Sequence, residues 1–151
     1  GIGDVAIRVL GVVADADALT VLSTQTQPPP AQGPRIITPH SAEAARLLGC
    51  SRNDVESDRM RAVKALRAWG TAVLKGPHSL IADHAVWINP TGSSTLATAG
   101  SGDVLAGHIG GYCARGLPPS KAAALATWRH GQAGEKLPEN STCSDLVEAL
   151  R

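Results

Sequence analysis

Gly100-Ser101-Gly102-Asp103 runs directly into Val104-Leu105-Ala106-Gly107 and is preceded by Asn89-Pro90-Thr91-Gly92 and Ala97-Thr98-Ala99. Glycines let a backbone close on an anion, and the unpaired N–H groups of a helix start favour negative charge in front of them. A phosphate suits such a place. Asp103, at the same helix start, could take the proton from a hydroxyl attacking that phosphate. Taken alone, it could equally be a helix-start carboxylate, with the glycines serving only a tight loop. Gly107, Gly110 and Gly111 continue along the stretch, where each costs about 1 kcal/mol against Ala. That stripe predicts a helix pressed closely onto a sheet.

Thr38-Pro39-His40-Ser41-Ala42-Glu43 puts an imidazole and a carboxylate three apart at a second helix start, hence on one face. Together they could contact a substrate and a metal-bound water. Lys75-Gly76-Pro77-His78-Ser79 offers an ammonium and exposed backbone to a phosphate or adenosine, or is simply a solvated turn. In Asp15-Ala16-Asp17 the carboxylates could cap the next helix or face the site. His78 reads as exposed, and His84, His108 and His130 read as structural or surface residues. Cys50, Cys113 and Cys143 are odd in number and widely spaced, without a CxxC pair, and read as free thiols.

The elements that must position these groups alternate. The apolar run Val9–Ala14 predicts a buried strand opening into the Asp15 turn, followed by a short helix Ala18–Leu22. Ser23–Pro34 holds four of the ten prolines and reads as an exposed, disorder-prone loop. Arg35–Thr38 is a strand, and Ser41–Leu48 a helix stopped by Gly49. Asp58–Trp69 is a helix leading through Gly70 into the strand Thr71–Lys75. Ser79–Ala82 and Ala85–Ile88 form a hairpin around Asp83-His84. A loop from Asn89 to Ser101 precedes helices over Asp103–Arg115, Ser120–Lys136 and Ser144–Leu150. The alternation predicts an α/β fold whose parallel sheet carries helices on both faces. Asp15, Asp17, His40 and Lys75 to Ser79 all follow strands, so they should line one sheet edge, where such folds bind ligands.

Bulk properties narrow the function. The 151 residues fit one domain of the usual size, about 100 to 200 residues. Apolar residues make up 43% and charged residues 18%, with no Phe, so Ala, Val, Leu and Ile must fill the core. Fourteen Lys and Arg nearly balance 13 Asp and Glu, and no basic stripe follows a phosphate backbone, which argues against nucleic acid. No apolar stretch approaches the roughly 20 residues of a membrane span, and the start lacks a signal-peptide pattern. A soluble, cytoplasmic protein is expected.

In order, Asp15 to Leu19, Ile37 to His40 with Glu43 to Gly49, Val73 to Gly76, and Asn89 to Gly107 resemble the NAD(P)H-hydrate dehydratase family. Ala122 to Gly134 extends the likeness. The resemblance implies a ribokinase-like three-layer α/β/α fold with a mostly parallel central sheet. It also implies repair of hydrated NADH and NADPH at the expense of ADP or ATP, with Mg²⁺ accompanying the phosphates. ADP would leave as AMP and phosphate. His40 and Asp103 would then contact the hydrate, with Asp103 as the base. Lys75, Gly76, Pro77, His78, Ser79 and Gly102 would hold the adenine nucleotide. No residue is implied as a direct metal ligand, although the place of Glu43 matches a water-mediated metal role in related sugar kinases. Pro77 and His78 stand where relatives usually carry small residues.

The likeness covers only the carboxyl-terminal part of that domain, a little over half. Residues 1–151 are therefore expected to be a single, amino-terminally truncated domain with an open apolar sheet edge that invites self-association. On that expectation the isolated chain is weakly active or inactive. The alternatives are a ribokinase-like kinase of a vitamin precursor, whose members often carry Cys after the second glycine, and a nucleotide-binding fragment without catalysis.

Overall fold

The computed structural model describes residues 11–30 and 33–151. Val9 and Leu10, the first residues of the strand expected at the start, lie outside that range. The described chain runs β1 (Val12–Ala14), α1 (Asp17–Ser23), β2 (Arg35–Ile37), α2 (Ser41–Leu48), α3 (Arg52–Ser57), α4 (Arg59–Leu66), β3 (Thr71–Leu74), β4 (Leu80–Ala82), β5 (Val86–Ile88), α5 (Ser101–Ala114), α6 (Pro119–Lys136) and α7 (Cys143–Ala149). Short 3₁₀ turns cover Arg67–Trp69 and Ser94–Ala97.

The five strands form one sheet in the order β1-β2-β3-β4-β5. β1, β2 and β3 are parallel, with Val13 opposite Ile36 and Ile37 opposite Ala72. β4 and β5 add the expected hairpin in antiparallel register, so the sheet is mixed. Because alternate strand residues face opposite sides, the sheet builds two cores. Ala14, Ile37, Ala72, Leu74, Leu80 and Ala82 meet Leu19, Leu47, Val55, Val63 and Leu66 from α1 to α4. Ile36, Val73 and Ile81 face the other way, onto Leu105 and Ile109 of α5 and Ala123 and Ala126 of α6. The result is three layers, helix, sheet, helix, as the alternation of elements requires.

Local chemistry sets the element ends. α2 closes in the left-handed Gly49 (φ 65°), the backbone conformation that glycine reaches without penalty. α3 was not anticipated, because Arg52–Ser57 is almost wholly polar. It is nucleated by a capping box in which Ser51 accepts from the Asp54 N–H while Asp54 accepts from the Ser51 N–H. The helix expected over Asp58–Trp69 is shorter: Asp58 caps it, accepting from the Arg61 N–H at 2.9 Å, and its end tightens into the 3₁₀ turn.

The glycine stripe on α5 is a correction. Leu105 and Ile109, one turn apart, face the sheet, and a Cβ placed at Gly107, Gly110 or Gly111 would meet nothing within 4 Å beyond the helix itself. The close approach expected of α5 falls instead at its first turn, at Gly102. The glycines that do permit close packing in the last helical layer are Gly131 and Gly134 of α6, against Thr91 and Leu96 of the loop before α5. Among the described residues, no helix is long and apolar enough to cross a membrane, and all three cysteines are free thiols.

Candidate functional site

The three parallel strands deliver their carboxyl ends to one edge. Asp15 follows β1, Thr38-Pro39-His40 follow β2, and Lys75 follows β3. Backbone bonds beyond the ladder tie these ends together: the Thr38 N–H donates to Ala14 O at 3.1 Å and the Lys75 N–H to Pro39 O at 2.8 Å. Thr38, fully buried, also donates from its hydroxyl to Ala14 O at 3.4 Å.

Lys75 is the charge at the centre. Its Nζ lies 2.8 Å from Asp15 Oδ1 and 4.0 Å from Glu43 Oε2. Both carboxylates are largely withdrawn from water, with side-chain exposures of 11% and 7%, and a cation there balances charge that would otherwise be costly. Glu43 is held in place by the start of α2, where it accepts from the His40 N–H at 2.7 Å. The His40 ring returns the favour, with Nδ1 accepting from the Ala42 and Glu43 N–H groups at 3.1 and 3.4 Å. An accepting Nδ1 leaves the proton of the neutral ring on Nε2, which lies 3.6 Å from Glu43 on a side chain that is 55% exposed. His40 therefore caps its helix and presents a donor at the sheet edge.

The head of α5 closes on this cluster from the opposite layer. A methyl on Gly102 would lie 3.2 Å from Lys75 Nζ and 3.5 Å from Asp15 Oδ2, so the first turn of α5 comes directly against the cation and its carboxylate. Gly100 takes the left-handed conformation at φ 84° and offers no side-chain cap. The Ser101 N–H is satisfied by Thr98 O and that of Val104 by Gly100 O. Among the described residues, the N–H groups of Gly102 and Asp103 have no such partner, which is the pattern of an anion-binding helix start. Asp103, exposed in the same turn, has no hydrogen bond or ion pair among the described residues.

Behind that turn stands His130 of α6, buried, with Nε2 at 3.0 Å from Ser101 O and 3.2 Å from Ser101 Oγ. Burial pushes its pKa below the ordinary histidine value, with the positive charges of His108 and Lys75 acting in the same direction and the bond to Ser101 opposing. The loop leading to Gly100 is clasped to the same helix: the Thr91 hydroxyl donates to Trp128 O at 2.9 Å, and the Ser93 and Thr95 hydroxyls donate to Gly134 O at 2.8 and 2.6 Å.

The turn after β3 uses Gly76 at φ 142° and, unusually for a side-chain-bearing residue, His78 at φ 50°. The Ser79 hydroxyl donates back to Gly76 O at 3.1 Å, and Pro77 and His78 form an exposed tip. The structure thus brings together Lys75, Gly102, Asp15 and Glu43, with His40 and Asp103 on the rim, while Pro77 and His78 stand apart from that cluster. Two contributors went unassigned in the sequence. Asp15 was left open between cap and site, and the structure puts it on Lys75 while Asp17 begins α1. Arg59 carried no signal at all, lying in an ordinary polar stretch, yet it donates to Leu74 O and Lys75 O at 3.2 and 3.3 Å. No three of the described His, Cys, Asp and Glu residues gather as a metal site.

Known proteins resemble this chain in sequence and fold. A family model described as NAD(P)H-hydrate dehydratase matches residues 3–151. An ADP-dependent (S)-NAD(P)H-hydrate dehydratase of Neisseria meningitidis is 46% identical over 137 residues, which cover 86% of this chain and 46% of that protein. The crystal structure of an ADP/ATP-dependent NAD(P)H-hydrate dehydratase from Bacillus subtilis, co-crystallized with ATP/Mg²⁺, superposes with a TM-score of 0.81 at 31% identity, over 93% of this chain and 54% of that one. A ribokinase-like superfamily protein of Enterococcus faecalis superposes with a TM-score of 0.76 at 26% identity, over 91% and 50%. The chain spans about half the length of these relatives. Its fold is ribokinase-like, and with nearly every residue inside the family match the chain belongs to the NAD(P)H-hydrate dehydratase family.

Proposed function

We propose that this chain carries the phosphoryl-transfer edge of an enzyme that dehydrates NAD(P)H hydrate back to NAD(P)H at the expense of ADP or ATP, a metabolite-repair reaction. The observation that carries the reading is the approach of Gly102 to Lys75, which sets two N–H groups without a partner among the described residues beside an ammonium. That combination suits the phosphates of a nucleotide. Lys75, Gly76, Pro77, His78, Ser79 and Gly102 are assigned to the nucleotide, with Pro77 and His78 offering backbone rather than side chains. His40, with its outward Nε2–H, and Asp103 are assigned to the hydrate.

In this reading the hydroxyl of the hydrated nicotinamide ring attacks the terminal phosphorus of the nucleotide. Its proton passes to Asp103, the new O–P bond forms, and the bond to the bridging oxygen breaks, so that ADP leaves as AMP. The C–O bond of the phosphate ester then breaks, inorganic phosphate leaving with the electron pair, while the neighbouring ring carbon loses a proton and the double bond is restored. Mg²⁺ is expected on the nucleotide's phosphates. No three of the described acidic, histidine and cysteine residues gather to hold it directly, and Glu43, engaged in capping α2, would reach such an ion through water.

The test is turnover. NADH hydrate, ADP or ATP and Mg²⁺ are incubated with the full-length protein and the absorbance of NADH is followed. Recovery that depends on nucleotide supports the reading, and phosphorylation of a pyrimidine or thiazole alcohol with no recovery refutes it. Repeating the assay on residues 1–151 alone tests the expectation that this part is weakly active by itself.

A further inference from the structure

The guanidinium of Arg59 lies behind the turn that begins at Lys75. Nη2 donates to Leu74 O and Lys75 O at 3.2 and 3.3 Å, Nη1 donates to Ser41 Oγ at 3.4 Å, and the Glu56 carboxylate lies 3.5 Å from Nη1. A methyl on Gly76 would stand 2.9 to 3.0 Å from both terminal nitrogens, so the glycine is packed against the guanidinium plane. One side chain therefore touches the last carbonyl of β3, the carbonyl and glycine of the turn, and the first residue of α2, which follows His40. At 18% side-chain exposure, with both terminal nitrogens turned onto protein groups, it is not arranged to meet a ligand itself.

We propose that Arg59 is a positioning residue: it locks the Lys75-Gly76 turn to the head of α2, and so holds Lys75 at Gly102 in the geometry that receives nucleotide phosphates. The inference rests on the assignment of this turn to the nucleotide. Its physical basis is the fork of the guanidinium, which bridges two carbonyls and a hydroxyl at once, whereas a lysine ammonium keeps the charge without the planar reach. Without the fork, the carbonyls at the end of β3 turn to water and the turn is free to carry Lys75 off the cluster.

Arg59→Met, Arg59→Lys and the unsubstituted full-length protein are compared by thermal midpoint, by nucleotide KM and kcat with NADH hydrate, and by titration with a fluorescent adenine nucleotide. The expected result is a rise in nucleotide KM of about tenfold for Met and a smaller rise for Lys, with kcat within about threefold and hydrate KM unmoved. A purely structural role lowers the folded fraction and with it apparent kcat, but leaves KM alone. An unchanged nucleotide KM in Arg59→Met, or full restoration by Lys, overturns the proposal, and the Lys variant decides the matter if the Met variant does not fold. Absence of nucleotide binding by the unsubstituted protein instead refutes the functional reading on which the proposal stands.

Discussion

Lys75 Nζ sits 2.8 Å from Asp15 Oδ1 across sixty residues of chain, joining the ends of two strands that are not neighbours in the sheet. β2 lies between them, so the pair spans the sheet edge above His40 and Glu43. Lys75→Met removes the cation from between two nearly buried carboxylates. A cost of about 1 to 3 kcal/mol is expected, most of it from the acids left behind. Asp15→Asn keeps one partner's shape and removes a competitor for the ammonium, so its cost should be smaller. Chemical denaturation of both variants checks the order, and equal losses would contradict it.

At Gly102 stability and binding should move in opposite directions. Alanine in the first turn of α5 gains helix propensity, about 1 kcal/mol in a helix interior and less at an end. Its methyl meets only the flexible tip of Lys75 and a carboxylate oxygen, at 3.2 and 3.5 Å. The thermal midpoint of Gly102→Ala should hold or rise slightly, while nucleotide affinity falls about tenfold or more as the methyl fills the space before the free N–H groups. A melting curve and a nucleotide titration on the same sample test both halves.

Asp103→Asn keeps the helix start and the shape of the side chain while removing the proposed base. Turnover should fall by about a hundredfold or more, with nucleotide affinity preserved or improved, since a negative charge beside the phosphates is gone. Comparable turnover would remove Asp103 from the chemistry. The residue is exposed and has no hydrogen bond or ion pair among the described residues, so the variant's melting temperature should not move.

The sequence carried the strand ends, the helix starts and the residues at the sheet edge because those signals are local. An apolar run closing on Asp15, His40 and Glu43 at the start of Ser41–Leu48, and Gly100 to Asp103 before a helix each declare themselves within a few residues. What stayed hidden depends on contacts between distant segments. The hydrogen bonds of Arg59 to the end of β3 have no sequence signature. The glycines of α5 looked like a packing stripe because period alone does not say which face meets the sheet, and Leu105 and Ile109 took that face. α3 does carry a local signal, Ser51 followed three residues later by Asp54, but it lacks the apolar stripe that marks a helix in a sequence.

The pH dependence of stability should be set largely by His130 and His108. Both have pKa values lowered chiefly by burial, the second with help from the Arg129 charge. His130 faces Ser101 on α5 and feels His108 and Lys75, while Nε2 of His108 is buried without a hydrogen-bond partner among the described residues. A lowered folded-state pKa means that the unfolded chain binds protons first as pH falls. The stabilisation is therefore complete above the unfolded value of 6.5 and declines below it until the folded rings protonate in turn. Thermal midpoints should be flat on the alkaline side of neutrality and fall as pH drops through about 6.5. His130→Gln, which can still donate to Ser101 O but does not titrate, should make that fall shallower while lowering the midpoint at neutral pH by a few degrees. An unchanged slope would assign the pH dependence to other groups.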